Sequence, residues 1–254
     1  MTFVPGTLSK RGKKAFFTEI LISGRAEERL RDLCASGKLR ELFPELHAME
    51  GVTQPPEFHP EGDVFEHTMV MLRHMVFPDP LLGWSVLLHD VGKPLTRTVE
   101  SSGRIRFFGH EELGAEIAEK LLVDMGFEKE ETEVIKHAVR NHMRFASVQQ
   151  MRPAKVTRLM KEPFFGLELE LHRLDCISCH GKMACFDFLL EQYVQMAPPE
   201  PERLVSGKDL LERGLKPGAL LGRILNDVRG AQLNGAITSR SSALAYIDKV
   251  IRKG

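Results

Sequence analysis

The residues best suited to chemistry in this 254-residue chain are His89 and Asp90, adjacent in Leu87-Leu88-His89-Asp90-Val91-Gly92-Lys93-Pro94. An imidazole and a carboxylate stand at the end of an apolar stretch. Burial there strips a charge of its water, which is costly unless a partner replaces it. A divalent metal ion is a natural partner, because neutral imidazole and carboxylate make the mixed nitrogen and oxygen sets of hydrolytic centres. Further ligand types lie at long spacings: His67 in Phe65-Glu66-His67-Thr68, His110 in Phe108-Gly109-His110-Glu111, His142 in Asn141-His142-Met143, and Asp175 in Arg173-Leu174-Asp175. Each falls in or beside a segment that reads as helix. A site assembled this way draws one or two ligands from each of several helices, so it needs a helical bundle behind it.

Other residues near these ligands have two readings each. The Lys93 ammonium could neutralise charge developing on a phosphate oxygen, or it is a solvated lysine favoured by a helix C-terminus. Arg140 and Arg144 flank His142 and could take a phosphate bidentately, or they belong to a solvated surface. Glu66 and Glu111 stand next to ligands and could orient them. His59 and His74 read as structural or surface residues, His137 falls off the face of His142, and His172 and His180 flank Asp175.

The elements that must position these groups are legible from periodicity. Ala26, Leu30 and Leu33 share one helix face, and Gly37 is placed to end that helix. Pro55-Pro56 and Pro60 make an extended loop. Phe65, Met69, Leu72 and Val76 recur at helical spacing with His67 near the start. The next helix carries Leu81, Trp84, Leu87 and Leu88, with His89-Asp90 expected in its last turn before Gly92 and Pro94. Residues 96–107 read as a small hairpin or an irregular loop. Helices are then expected over 110–125, 130–142 and 153–160, and one long helix over about 167–196 carries Asp175. Pro198-Pro199-Glu200-Pro201 reads as a linker before two or three short helices. The fold class is all-α.

Composition narrows the rest. The chain is 43% hydrophobic and 28% charged, as in ordinary globular proteins. No run of about 18 apolar residues calls for a membrane span, and Met1-Thr2-Phe3-Val4-Pro5 does not open like a signal peptide, so a cytoplasmic location is expected. The formal net charge is zero, but residues 1–40 and 201–254 each carry an excess of five positive charges and the middle an excess of ten negative ones. An acidic middle fits a metal-binding core. Basic ends fit either RNA phosphate contacts or a mixed solvated surface. Cys176-Ile177-Ser178-Cys179-His180 has the spacing of covalent haem attachment. That chemistry requires export, and an attached haem would collide with Asp175. A zinc site from Cys176, Cys179, His180 and Cys185 is a second reading, although such sites draw ligands from turns. Reduced, partly buried cysteines are the favoured one.

The order His67, His89-Asp90, Asp175 resembles the signature of HD-domain metal-dependent phosphohydrolases. The stretch Phe58-His59-Pro60-Glu61-Gly62-Asp63-Val64-Phe65-Glu66-His67-Thr68 looks like the HD portion of bacterial CCA-adding enzymes (tRNA nucleotidyltransferases) and their poly(A) polymerase relatives, as does Phe108-Gly109-His110-Glu111. Residues 22–52 look like that family's neck helices, and Pro217–Leu225 with Gly235–Arg240 like its tail. The resemblance implies neck-like helices over 15–60, an HD core over 61–197 and a helical tail over 202–254. The family's nucleotidyltransferase head carries an Asp-x-Asp pair. No Asp-x-Asp occurs here, and residues 1–14 are too few for that domain, so nucleotide addition is not expected.

The resemblance also implies one or two divalent ions (Mn, Ni, Co, Fe, Zn or Mg). His67, His89, Asp90 and Asp175 would hold the first. His110 and His142 would hold a second, or substrate phosphate. Asp90, Lys93 and His110 would carry catalysis. The expected reaction is hydrolysis of a nucleotide or RNA-end phosphate ester, either a phosphomonoester or a 2′,3′-cyclic phosphodiester. The rival is a non-catalytic RNA-binding accessory, or a split partner of a tRNA nucleotidyltransferase, whose ends hold tRNA-like RNA.

Overall fold

The segment from Pro80 to Leu88 explains the centre of the molecule. Asp79 caps it, its side chain accepting from the Leu82 N–H at 2.9 Å, and Pro80 fills the first helical position, where no N–H is needed. Every residue from Leu82 to Leu88 is buried. A helix apolar on all faces must be enclosed by others, and this one is.

The computed structural model describes residues 8–179, 181–196 and 201–251. Helices α1 (Lys10–Ile22), α2 (Ala26–Ala35), α3 (Lys38–Leu42) and α4 (Pro44–His47) come first. Helix α5 (Val64–His74) follows the proline loop, and the central element is α6 (Pro80–Leu88). A short α7 (Lys93–Thr96) leads into the antiparallel hairpin β1 (Thr98–Val99) and β2 (Ile105–Arg106), with Thr98 opposite Arg106. Helices α8 (His110–Met125), α9 (Lys129–Asn141), α10 (Pro153–Leu159), α11 (Phe165–Ser178) and α12 (Ala184–Met196) complete the first compact unit, which ends at Gln195. Apart from the hairpin and an isolated bridge between Thr53 and Asp63, the regular structure among the described residues is all helical. No helix among the described residues is long and apolar enough to cross a membrane.

Helices α1, α5, α9 and α11 pack around α6. Their buried faces form one core that runs from Phe17 and Leu30 through Trp84 to Ile135 and Leu174. Trp84 stacks edge-on with Phe17 and Phe127, and its indole N–H donates to the Thr18 hydroxyl at 2.9 Å. A smaller cluster of Phe145, Val148, Phe165 and Leu189 lies under α10 to α12. The second unit has its own core, in which α13 (Gly207–Leu211), α14 (Ala219–Leu233) and α15 (Arg240–Ile251) enclose Leu210, Ile224, Val228 and Ile247.

Three expectations need correction. Periodicity named no helix before Ala26, and the neck-like helices expected from residue 15 begin earlier, at Lys10, where Phe16, Phe17, Ile20 and Leu21 supply an apolar helical face and Phe17, Ile20 and Leu21 are buried. The single helix expected over 167–196 is two. Cys179 leaves helical geometry at ψ −106° and Gly181 turns the chain at φ +67°, a region few side chains tolerate. His89 and Asp90 also lie past the helix rather than in its last turn: α6 ends at Leu88, His89 caps it, and Asp90 sits in the turn before α7. Met1–Pro5, expected not to open a signal peptide, the Pro198-Pro199-Glu200 part of the linker, and His180 lie outside the described residues.

Candidate metal centre

The turn after α6 opens at the middle of the bundle, so whatever follows Leu88 is delivered to the place where α5, α8, α9 and α11 converge. His67 comes from the first turns of α5, whose N-cap Asp63 accepts from the Glu66 N–H at 2.8 Å and the Gly51 N–H at 2.6 Å. His110 opens α8, His142 caps α9, and Asp175 lies in the last turn of α11. His67, His89, Asp90, His110 and His142 are all buried.

Asp90 is shared by two groups of ligand atoms. In one it meets His67 and His89, and in the other His110 and His142; within each group the atoms lie within 4.8 Å of one another. Asp90 Oδ2 lies 3.1 Å from His89 Nε2, and Oδ1 lies 3.4 Å from His110 Nε2 and 3.6 Å from His142 Nε2. Asp175 Oδ1 lies 3.0 Å from His67 Nε2. With metal–ligand bonds of about 2.0–2.2 Å, two ligands of one ion stand roughly 3–3.5 Å apart. These spacings therefore fit ions between the side chains.

The hydrogen bonds set the rings for that task. His89 Nδ1 donates to the Val86 carbonyl at 2.8 Å, His110 Nδ1 to the Phe107 carbonyl at 2.7 Å, and His142 Nδ1 to the Val139 carbonyl at 2.7 Å. A carbonyl only accepts, so each Nδ1 carries the proton, and in a neutral ring Nε2 offers a lone pair. Those lone pairs face one another and a carboxylate: His110 Nε2 and His142 Nε2 are 3.2 Å apart. His89 Nε2 and Asp90 Oδ1 are buried with no hydrogen-bond partner, and His67 Nε2, which faces Asp175 Oδ1 at 3.0 Å, is buried beside them. Orphaned acceptors converging out of water are costly, and a cation satisfies them together. The residues present fit a divalent metal.

Electrostatics agree. Burial pushes the Asp90 carboxyl up, but the adjacent His89 and Lys93 hold it well below the usual carboxylate range. Burial likewise opposes ionisation of Asp175, and the His67 hydrogen bond and charge overcome it. Burial, with His89 and His110 nearby, pushes His142 down to about 3, so its ring is neutral. His67 is the exception. Burial disfavours its charge, yet hydrogen bonds to Asp175, Cys179 and Glu61 raise it well above the ordinary value. A cation at Nε2 would take the place of that proton.

Lys93 Nζ lies 2.7 Å from Asp90 Oδ2 and donates to Gln54 Oε1 at 2.7 Å. Beside it opens a cavity of about 530 Å³, lined by His89, Asp90, Lys93, His110, His142 and Asp175 among others. Its outer wall carries Arg104, Phe108 and Phe58.

Other sequence readings fare differently. Arg144 is committed to Glu162 and Glu168, and Arg140 to Glu112. Glu66 forms a two-pronged pair with Arg31 at 2.6 and 2.8 Å and does not orient His67. Glu61, which sequence reasoning passed over, does: its Oε1 accepts from His67 Nδ1 at 2.6 Å and His59 Nδ1 at 2.9 Å. Its carboxyl is opposed by burial, but these bonds lower it to about 2. The available signal was an acid six residues before a ligand, across a glycine loop. Glu111 lies 3.2 Å from His110 Nδ1. The sulfurs of Cys176, Cys179 and Cys185 do not gather into one ligand group among the described residues. Cys176 sits by His172, Cys179 by His59, and Cys185 by the Ala146 carbonyl.

Comparison with known proteins places these features. Residues 64–174 match the HD domain family model. The chain is 31% identical over 242 residues to a CC-adding tRNA nucleotidyltransferase of Thermus thermophilus, covering 92% of this chain and 55% of that protein. It is 29% identical over 245 residues to an A-adding tRNA nucleotidyltransferase of Deinococcus radiodurans, covering 91% and 56%. A multifunctional CCA protein of Pseudomonas aeruginosa is 31% identical over 216 residues, covering 82% and 51%. The chain spans about half the length of these curated relatives. The match to the HD domain thus lies over residues 64–174, and most of the chain is similar to part of the CC-adding and A-adding tRNA nucleotidyltransferases.

Proposed function

We propose that this chain is a metal-dependent phosphohydrolase acting on a nucleotide or RNA-end phosphate ester, with His67, His89, Asp90 and Asp175 as the principal ligands. The observation that carries this reading is the convergence of buried ligand atoms from His67, His89 and Asp90 within 4.8 Å of one another, with His89 Nε2 and Asp90 Oδ1 left without a hydrogen-bond partner, beside a cavity that Lys93 also lines. Bound there, a divalent cation would polarise a phosphoryl oxygen and acidify water. The chain's own residues do the rest. Glu61 fixes the His67 ring, and backbone carbonyls fix His89, His110 and His142 with Nε2 turned inward. Lys93, which lines the cavity next to Asp90, would offset charge as the ester bond breaks. His110 and His142 would hold a second cation or a phosphate oxygen.

An RNA-end substrate is supported by the tRNA-directed names of the relatives. The cavity, at about 530 Å³, falls in the size range of small-ligand sites, about 300–1,000 Å³. The test combines metal analysis of the purified full chain with a panel of phosphomonoesters and 2′,3′-cyclic phosphodiesters. Metal-dependent turnover that Asp90→Asn abolishes supports the reading. Tight binding of tRNA-like RNA with no turnover under any divalent metal would instead establish the RNA-binding accessory.

A further inference from the structure

A third cluster of ligand-type side chains lies at the other nitrogen of His67. His59 Nδ1 stands 2.9 Å from Glu61 Oε1, and Cys179 Sγ stands 3.6 Å from the same His59 nitrogen. His67 Nδ1 lies 2.6 Å from Glu61 Oε1 and 3.9 Å from Cys179 Sγ. The ligand atoms of all four side chains fall within 4.8 Å of one another. The Glu61 side chain is only 9% exposed, and its second oxygen, Oε2, is buried with no hydrogen-bond partner. One carboxylate oxygen thus serves two imidazoles while the other serves nothing, in a low-dielectric setting where an idle acceptor is costly.

We propose that His59 Nδ1, Glu61 Oε2 and Cys179 Sγ form a second metal site, distinct from the HD centre, for a thiophilic divalent cation of the Zn²⁺ or Co²⁺ kind. Ligands on one such ion, with bonds of about 2.0–2.2 Å to nitrogen or oxygen and about 2.3 Å to sulfur, stand roughly 3–3.6 Å apart. The 3.6 Å between His59 Nδ1 and Cys179 Sγ already matches that spacing, and the Glu61 carboxylate has an oxygen within 4.8 Å of both. A set of one nitrogen, one oxygen and one sulfur selects a borderline cation over magnesium or calcium. Three protein ligands leave a fourth position for water. On binding, the thiol proton passes to solvent and the His59 ring proton moves from Nδ1 to Nε2, so the thiolate and the freed Nδ1 lone pair take the metal.

The donors sit on two well-held segments. The loop with His59 and Glu61 is closed at its base by the bridge between Thr53 and Asp63. Cys179 caps α11, its N–H bonded to the Asp175 carbonyl at 3.2 Å. Glu61 Oε1 stays on His67 while Oε2 ligates, so the carboxylate ties the two centres together. The nearest competitor is Cys34 with His47 and Glu50, where Glu50 is half exposed.

The experiment titrates Co²⁺ into the chelator-stripped full chain and follows thiolate-to-cobalt charge-transfer absorption in the near ultraviolet. The HD ligands are nitrogen and oxygen only and give no such band. The expected band disappears in Cys179→Ser, needs at least tenfold more Co²⁺ in His59→Ala, and persists in Cys34→Ser, Cys176→Ser and Cys185→Ser. No band at saturation overturns the proposal, as does a band that survives Cys179→Ser at full intensity. Helical circular dichroism checks folding. Should Cys179→Ser unfold, His59→Ala, on a separate segment, decides the matter: an unchanged Co²⁺ requirement in that variant overturns the site. Ester hydrolysis is not the readout, so failure of this site and failure of the hydrolase reading are separately visible.

Discussion

Gly92 presses against the backbone of His110 so closely that a β-carbon on Gly92 would fall 2.2 Å from the His110 carbonyl oxygen and 2.8 Å from the Gly114 nitrogen. The Gly92 backbone is ordinary, at φ −80°, so space alone demands glycine. The contact pins the turn carrying Asp90 onto the start of α8, which is how Asp90 Oδ1 comes within 3.4 Å of His110 Nε2.

Gly92→Ala is therefore expected to destabilise the fold by about 1–3 kcal/mol, the usual cost of overpacking, because the atoms in the way are backbone. Gly114→Ala, whose nearest contacts would be 3.4 Å away, should lose less. Urea unfolding of both variants checks this; equal losses would remove the steric explanation.

Asp90→Asn should lose bound metal and at least about 10²-fold in turnover together, because the amide brings no charge to the point shared by both ligand groups. Metal content by elemental analysis, set beside turnover, is the measurement. Full metal occupancy with unchanged rate would exclude Asp90 from the centre.

Lys93→Met should keep the metal and lower kcat/KM for a phosphate ester by about 10²-fold, the scale of removing one stabilising donor at a developing oxyanion. Loss of metal with the rate per bound ion intact would instead make Lys93 a structural partner of Asp90, its 2.7 Å neighbour.

The tail unit carries a pH test of its own. The Asp209 carboxyl is lowered to about 2 by hydrogen bonds from the Ser206 backbone N–H and hydroxyl, and by Arg240. A folded-state value below the unfolded one, about 3.9, means a contribution fully present above pH ~4 and lost as pH falls towards about 2. Thermal unfolding of the full chain should show the tail transition dropping over that window, and Asp209→Asn should flatten the drop.

Much of the chain could be read from local rules. The cap Asp79 with Pro80, the glycine after Met125 and the apolar periodicity of α5, α8 and α9 express themselves within a few residues, so they are legible without the fold. The identity of the ligand types was equally plain, since an imidazole or carboxylate beside an apolar run is a local anomaly. What the sequence could not determine was which acid serves which ring. Glu66 is adjacent to His67 yet faces Arg31 at 2.6 Å, because neighbouring helix residues point about 100° apart. Glu61, separated from His67 by a loop, folds back to hold it. The same holds for Arg144, drawn to acids at 162 and 168, and for Cys179, placed by the break of a helix that periodicity alone would have continued. These pairings join atoms far apart along the chain, and only the packing of helices around α6 brings them within reach.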